Sequence, residues 1–146
     1  MSADDSVVLS LAEAVALCEA AARRRGASPQ VARSIATAFV RAEAEGQSAV
    51  GLSHFVDHLD ALARGRIDGQ AVPMLTRPAP ALILSDARGG AAHPGYDLAF
   101  DDIVAAASTY GIAAFAQRNG FTCGALGYFV ARLAEDGLVG LAATNG

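Results

Sequence analysis

The stretch IAAFAQRNGFTCGALGYFVARLAEDGLVGLAA (Ile112–Ala143) decides the fold. It opens with a short apolar run, Ile112–Ala116, of strand length. A polar, glycine-bearing loop follows over Gln117–Gly124. Leu126, Phe129, Val130 and Leu133 then recur at helical spacing, so Ala125–Asp136 reads as an amphipathic helix. Leu138–Ala143 (LVGLAA) is again a bare apolar run and reads as a strand. Strand, helix, strand is an α/β order. A strand this apolar is expected inside a sheet, with loops and ligand sites near its C-terminal end.

The pattern extends upstream. Ala81–Ser85 (ALILS) predicts a further buried strand, and Tyr96–Tyr110 a helix with Leu98, Ile103, Val104 and Ala107 facing inward. Asp86–Gly95 between them is a turn-rich loop. Residues 65–80 hold several Gly and Pro and predict a wandering connection, with a short extended piece near Met74-Leu75. Before that the periods are helical. Ser10 and Glu13 form a capping box ahead of a helix that ends at Gly26, with Cys18 on its inner face. Ser28 caps a second helix with Pro29 in its first turn, ending at Gly46. A third begins near Gly51, carries Phe55, Leu59 and Leu62 on one face, and ends at Gly65. The expected architecture is α/β: three N-terminal helices, then strand–helix–strand–helix–strand. We divide it into a helical segment, residues 1–68, and the first part of an α/β domain, residues 69–146. The final strand ends at the last few residues, so the sheet is expected to be completed by a second chain or by further C-terminal sequence.

The chain has 146 residues, 53% of them hydrophobic and 18% charged, against roughly 45–50% apolar in ordinary soluble domains. The alanine-rich surplus fits either a large buried interface or simply a compositional bias. Net charge is −4, and the one basic cluster, Arg23-Arg24-Arg25, closes a helix where cations suit its dipole. Nucleic-acid binding is not expected without a basic face. No apolar stretch has membrane-spanning length, and the acidic N-terminus lacks a signal-peptide pattern. Two distant cysteines, Cys18 and Cys123, without metal spacing, point to free thiols and a cytoplasmic protein.

The segment EGQSAVGLSHFVDHLDALARGRIDG (Glu45–Gly69) resembles the type-2 malate/L-lactate dehydrogenase family, which includes reductases of 2-oxo acids and of cyclic imino acids. The family pattern there is roughly Gly-His-x-Ser-His-Gly, then Arg-Leu, a tyrosine and a Gly-x-Ile element. The downstream order also matches: Asp86 and a glycine-rich loop, helix, strand, an Asn-containing loop, helix, and a strand ending in Asn145. The resemblance covers nearly all of this chain and less than half of a typical member. It implies a non-Rossmann scaffold, consistent with the absence of Gly-x-Gly-x-x-Gly. The departures fall on chemistry. The histidine that the family uses to give a proton to a carbonyl or imine corresponds to Val50, which cannot transfer one. The carboxylate-gripping arginine corresponds to His54, a poor substitute for a bidentate guanidinium. The loop Arg118–Gly124 lacks a family histidine.

Several groups remain as candidates. His54 and His58 share one helix face, and we assign them to substrate binding; no third ligand completes a metal site, and no metal is expected. Asn119 and Gly120, at a strand end, are assigned to substrate binding. Thr122 and Cys123 follow as candidate catalytic residues near a helix N-terminus, where a thiolate or an oxyanion is favoured. His93, in His93-Pro94-Gly95, reads as a turn histidine. Asn145 and Gly146 would line the same pocket from the chain end.

Two functions follow. In the first, the lost proton donor and the mid-fold terminus suggest the α-chain of a self-cleaved heteromeric hydrolase of small amides or lactams. Its companion chain, cut from the same precursor, would carry an N-terminal Ser, Thr or Cys nucleophile, and the heterodimer would assemble further. No cofactor is then expected. In the second, the chain is the N-terminal part of an NADH- or NADPH-dependent reductase of 2-oxo acids or cyclic imines. Both act on a small molecule.

Overall fold

The computed structural model describes residues 7–145. Three helices come first: α1 (Leu11–Arg24), α2 (Pro29–Ala44) and α3 (Leu52–Ala63), the last preceded by a 3-10 turn at Ser48–Val50. The α1 capping box forms as the sequence predicts, Ser10 Oγ accepting from Glu13 N while the Glu13 carboxylate takes the Ser10 N–H. Ser28 caps α2 in the same way through Val31 N. A bare N-terminus on α3 is served from a distance: Glu43 accepts from Leu52 N at 2.8 Å and from Ser48 Oγ at 2.7 Å.

The sheet has three strands, β1 (Met74–Ala79), β2 (Leu82–Asp86) and β3 (Ala114–Arg118), in that spatial order. β1 and β2 are antiparallel; β2 and β3 are parallel, Leu82 opposite Ala114 through Asp86 opposite Arg118. The crossover between β2 and β3 is α4 (His93–Tyr110), and α5 (Gly127–Glu135) follows β3. β1 is longer than the extended piece expected near Met74-Leu75. It lies at the sheet edge, where Pro78 is tolerated beside a register shift between Thr76 and Ala79.

Two apolar clusters hold these elements. One joins α1, α2 and α3 around Val31, Ile35, Phe39, Phe55 and Leu62, with Ile67 and Ala91 closing it. Cys18 belongs to it, as expected of a small core residue. The other packs Ile83, Tyr96, Ala99, Ile103 and Tyr128 against Ala38 of α2. Phe39, 1% exposed, is the hinge of the two: its ring lies 4.6–5.8 Å from those of His54, Phe55, His58 and His93.

Several boundaries move: α4 starts at His93 rather than Tyr96, α5 spans Gly127–Glu135 rather than Ala125–Asp136, β2 spans Leu82–Asp86 rather than Ala81–Ser85, and β3 spans Ala114–Arg118 rather than Ile112–Ala116. One element is corrected outright. Leu138–Ala143 forms no strand: Val139 and Leu141 are 96% and 98% exposed, and the segment has no ladder partner among the described residues. Apolarity alone does not make a strand; its N–H and C=O groups need a paired neighbour. The buried interior strand inferred from LVGLAA is therefore absent here.

Candidate active-site groove

The site is built at the C-terminal end of β3. Asp86, last in β2, accepts from Arg88 N at 2.9 Å, Asn119 Nδ2 at 3.0 Å and Arg118 Nε at 3.1 Å. The Asn119 amide first, then the Arg88 N–H and the Arg118 guanidinium, hold its carboxyl below the usual range. Asn119 and Arg88 both adopt φ of 55°, a left-handed conformation that Asn tolerates well. Main-chain bonds zip the two loops together: Ala87 N to Arg118 O, Gly89 N to Asn119 O, and Phe121 N to Gly90 O, at 2.8–3.0 Å. Behind them Gln117 accepts from Ser85 Oγ and donates to Ala92 O. A Cβ on Gly95 would collide with Gln117 Oε1 and Ser85 Oγ, so glycine lets α4 start this close to the strands.

From Asn119 the chain turns into the loop that the sequence marked. Phe121, Thr122 and Cys123 form one wall of an open groove of about 850 Å³ between β3, α5 and the segment 139–145. Of the residues expected to form a site, Asn119, Gly120, Thr122, Cys123 and Asn145 share this groove. Gly146 lies outside the described residues. The Cys123 thiol is pushed up by burial, an effect eased by hydrogen bonds to its own backbone and to Thr144. It is therefore a thiol rather than a thiolate at neutral pH.

His54 and His58 do not line the groove. His54 Nδ1 pairs with Asp57 at 3.0 Å at the surface of α3. His58 is fully buried behind the loop, and its Nε2 lies 3.0 Å from the Thr122 carbonyl. Desolvation pushes its pKa down, outweighing its contacts with the carbonyls of Thr122 and His54, so the ring is neutral and Nε2 is assigned as the donor.

His93 was read as a turn residue and is more than that. It is the first residue of α4, 1% exposed, stacked on Phe129 at 5.6 Å. Its Nε2 lies 2.9 Å from the Cys123 carbonyl, and its Nδ1 has no partner among the described residues. Burial, with the His58 ring adding to it, pushes its pKa down to about 4. Two neutral histidines from different helices thus hold consecutive loop carbonyls from behind. The sequence signal available was His93 at a Pro-Gly helix start; nothing in it linked residue 93 to residue 123.

A mixed sheet without a Gly-x-Gly-x-x-Gly turn, a groove at a parallel strand's C-terminal end, and N-terminal helices backing that groove define an α/β scaffold outside the Rossmann class. The chain belongs to the malate/L-lactate dehydrogenase family, whose pattern matches residues 9–146. It is 35% identical over 133 residues to a Δ1-pyrroline-2-carboxylate/Δ1-piperideine-2-carboxylate reductase of Pseudomonas putida, covering 91% of this chain and 39% of that protein. It is 31% identical over 140 residues to a (2R)-3-sulfolactate dehydrogenase (NADP(+)) of Chromohalobacter salexigens, covering 96% and 42%. The Δ1-piperideine-2-carboxylate reductase of Pseudomonas syringae superposes with a TM-score of 0.87 at 29% identity, covering 90% of this chain and 40% of that one. Malate dehydrogenase of Pyrococcus horikoshii superposes at 0.81 and 18% identity, covering 94% and 39%, a likeness of fold alone. The chain spans about 40% of the length of these relatives.

These findings overturn two expectations. The self-cleaved amide or lactam hydrolase is contradicted by relatives that are reductases and dehydrogenases. The expectation of no cofactor falls with it, since one of the relatives is named for NADP(+). Among the described residues no helix is long and apolar enough to cross a membrane.

Proposed function

We propose that these residues form the substrate-side wall of an NADH- or NADPH-dependent reductase of cyclic imino acids, with 2-oxo acids as the alternative substrates. The observation that carries this reading is the 35% identity over nearly the whole chain to a cyclic-imine reductase, joined to a groove at the position where α/β enzymes hold ligands. The groove suits a nicotinamide ring. Phe121, Leu126 and Val130 give it an apolar side, and Asn119, Thr122 and Asn145 offer amide and hydroxyl partners. When bound, the dinucleotide would supply the hydride. Sequence outside these residues would complete its site.

The residues of this chain then orient and protonate. Asn119, locked by Asp86, and Gly120 position the substrate beside Thr122. Val50 has no proton to give, and the Cys123 thiol, which lines the groove and carries its proton at neutral pH, takes the role of donor to the imine nitrogen in this reading. The test is oxidation of NADH and NADPH by the full polypeptide with Δ1-pyrroline-2-carboxylate, Δ1-piperideine-2-carboxylate and pyruvate. Turnover of a cyclic imine is the expected result. No nicotinamide oxidation with any of the three would refute the reading.

A further inference from the structure

α1 has a second face that the core does not use. Val15, Cys18 and Ala22 point inward to the helical cluster. On the opposite side Glu13, Leu17, Ala20 and Arg24 follow one another at steps of four, three and four residues, which places them in one stripe along the helix. All four are exposed, Leu17 at 62%. The approach to the helix carries more bare apolar surface, Val7 and Val8 being 80% and 95% exposed. Scattered apolar residues on a surface need no explanation, but this concentration at one helix does.

The stripe is acidic at one end and basic at the other. Glu13 lies in the first turn of α1 and Arg24 in the last, with Arg23 beside it. The Glu13 carboxylate uses Oε2 for the Ser10 N–H and hydroxyl, at 2.8 and 2.7 Å, and its Oε1 has no hydrogen bond among the described residues. Arg24 meets no carboxylate among the described residues. Such a stripe is complementary to itself turned end for end. With a twofold axis level with Cys18 and Glu19, Glu13 of each copy faces Arg24 of the other, and Leu17 of each faces Ala20 of the other. The small Ala20 leaves room for the leucine when the helix axes close to about 8 Å. A parallel pair would set Glu13 on Glu13 and Arg24 on Arg24, so charge selects the antiparallel one.

We propose that α1 is the contact between two copies of this chain, packed antiparallel through Glu13, Leu17, Ala20 and Arg24. The contact is isologous, one patch meeting itself. The 14 residues of α1 make a helix about 21 Å long. With the valine lead-in, that gives a contact at the small end of specific interfaces, about 1,000 Å² in total, so the pairing is reversible. α1 packs on α2 and α3 and does not line the groove at β3, so pairing and catalysis are read separately.

Sedimentation of the full polypeptide across a concentration series is the test. The wild type should pass reversibly from monomer to dimer. Leu17→Glu, at an exposed position, should weaken the dimer by about a hundredfold, since the twofold axis buries this side chain twice. Arg24→Glu sets carboxylate against carboxylate at both ends and should weaken it about tenfold. Adding Glu13→Gln keeps the capping box, removes that repulsion and should restore most of the loss. Circular dichroism checks the fold of each variant. A wild type that stays monomeric at every concentration, or a dimer indifferent to Leu17→Glu, would overturn the proposal. So would a folded Arg24→Glu that pairs as well as wild type, or one whose defect Glu13→Gln leaves unrelieved. Further sequence of the kind the longer relatives carry is the rival cover for this face, and it leads to the first or second of those outcomes.

Discussion

Gly124→Ala should unfold the site before it changes any chemistry. Gly124 has a φ of +64°, and a Cβ there would lie 2.9 Å from Phe39 Cε1 and 3.4 Å from its Cζ. The Phe39 ring cannot yield, because Phe55, His54, His58 and His93 surround it. A left-handed alanine costs about 1–2 kcal/mol. Overpacking a closed core adds about 1–3 kcal/mol. Reduced freedom of the unfolded chain returns roughly 0.4–1 kcal/mol. The net loss is then about 2–4 kcal/mol. Gly46→Ala is the matched control, since its φ is +78° with nothing within 4 Å of the added carbon. It should cost only about 1 kcal/mol, the backbone strain less the entropy return. Urea unfolding of the two variants and wild type measures both, read as a midpoint shift at unchanged slope. If Gly124→Ala is no less stable than Gly46→Ala, Phe39 is not wedged against the loop and the packing argument fails.

Acid should weaken the protein well above the carboxylate range. His93 is held at about 4 in the fold against roughly 6.5 when unfolded. Its neutral form stabilises fully above 6.5, and that stability drains as pH falls toward 4, by roughly 3 kcal/mol in all. Unfolding midpoints between pH 7 and 4 should show this slope in wild type and a shallower one in His93→Gln, where buried His58 still contributes; an unchanged slope in the variant would refute the assignment. Tyr128→Phe should cost about 1 kcal/mol by urea unfolding, because Tyr128 Oη donates to Asp97 at 2.8 Å in a cluster that Ser34 and Arg132 also enter. A variant as stable as wild type would show that those two suffice. Cys123→Ala should lower kcat for a cyclic imine by about a hundredfold, the usual size of a positioned acid's contribution; a change below threefold would remove Cys123 from proton transfer.

What could be read in the sequence follows the range of the forces involved. α1 and α2 were legible to the residue at their N-termini because Ser10-Glu13 and Ser28-Pro29 act on their own first turns. β2 and β3 were legible as apolar runs set between glycine-bearing loops. The Leu138–Ala143 run has the same composition as a strand, yet lies exposed, because a strand is a relation between two segments and composition describes one. The groove residues 119–123 and 145 came together as their strand-end positions implied. His58 and His93 did not declare themselves, since each acts on a carbonyl 64 or 30 residues away. Their partners are main-chain atoms, which every sequence supplies and none advertises. Side-chain matching at two positions is for the same reason a narrow guide to this chain. Counting the missing histidine at position 50 and the missing arginine at position 54 points away from reductase chemistry. A likeness of 35% identity over 133 residues outweighs two such positions in deciding the family, because the scaffold rests on many contacts that no single site residue carries.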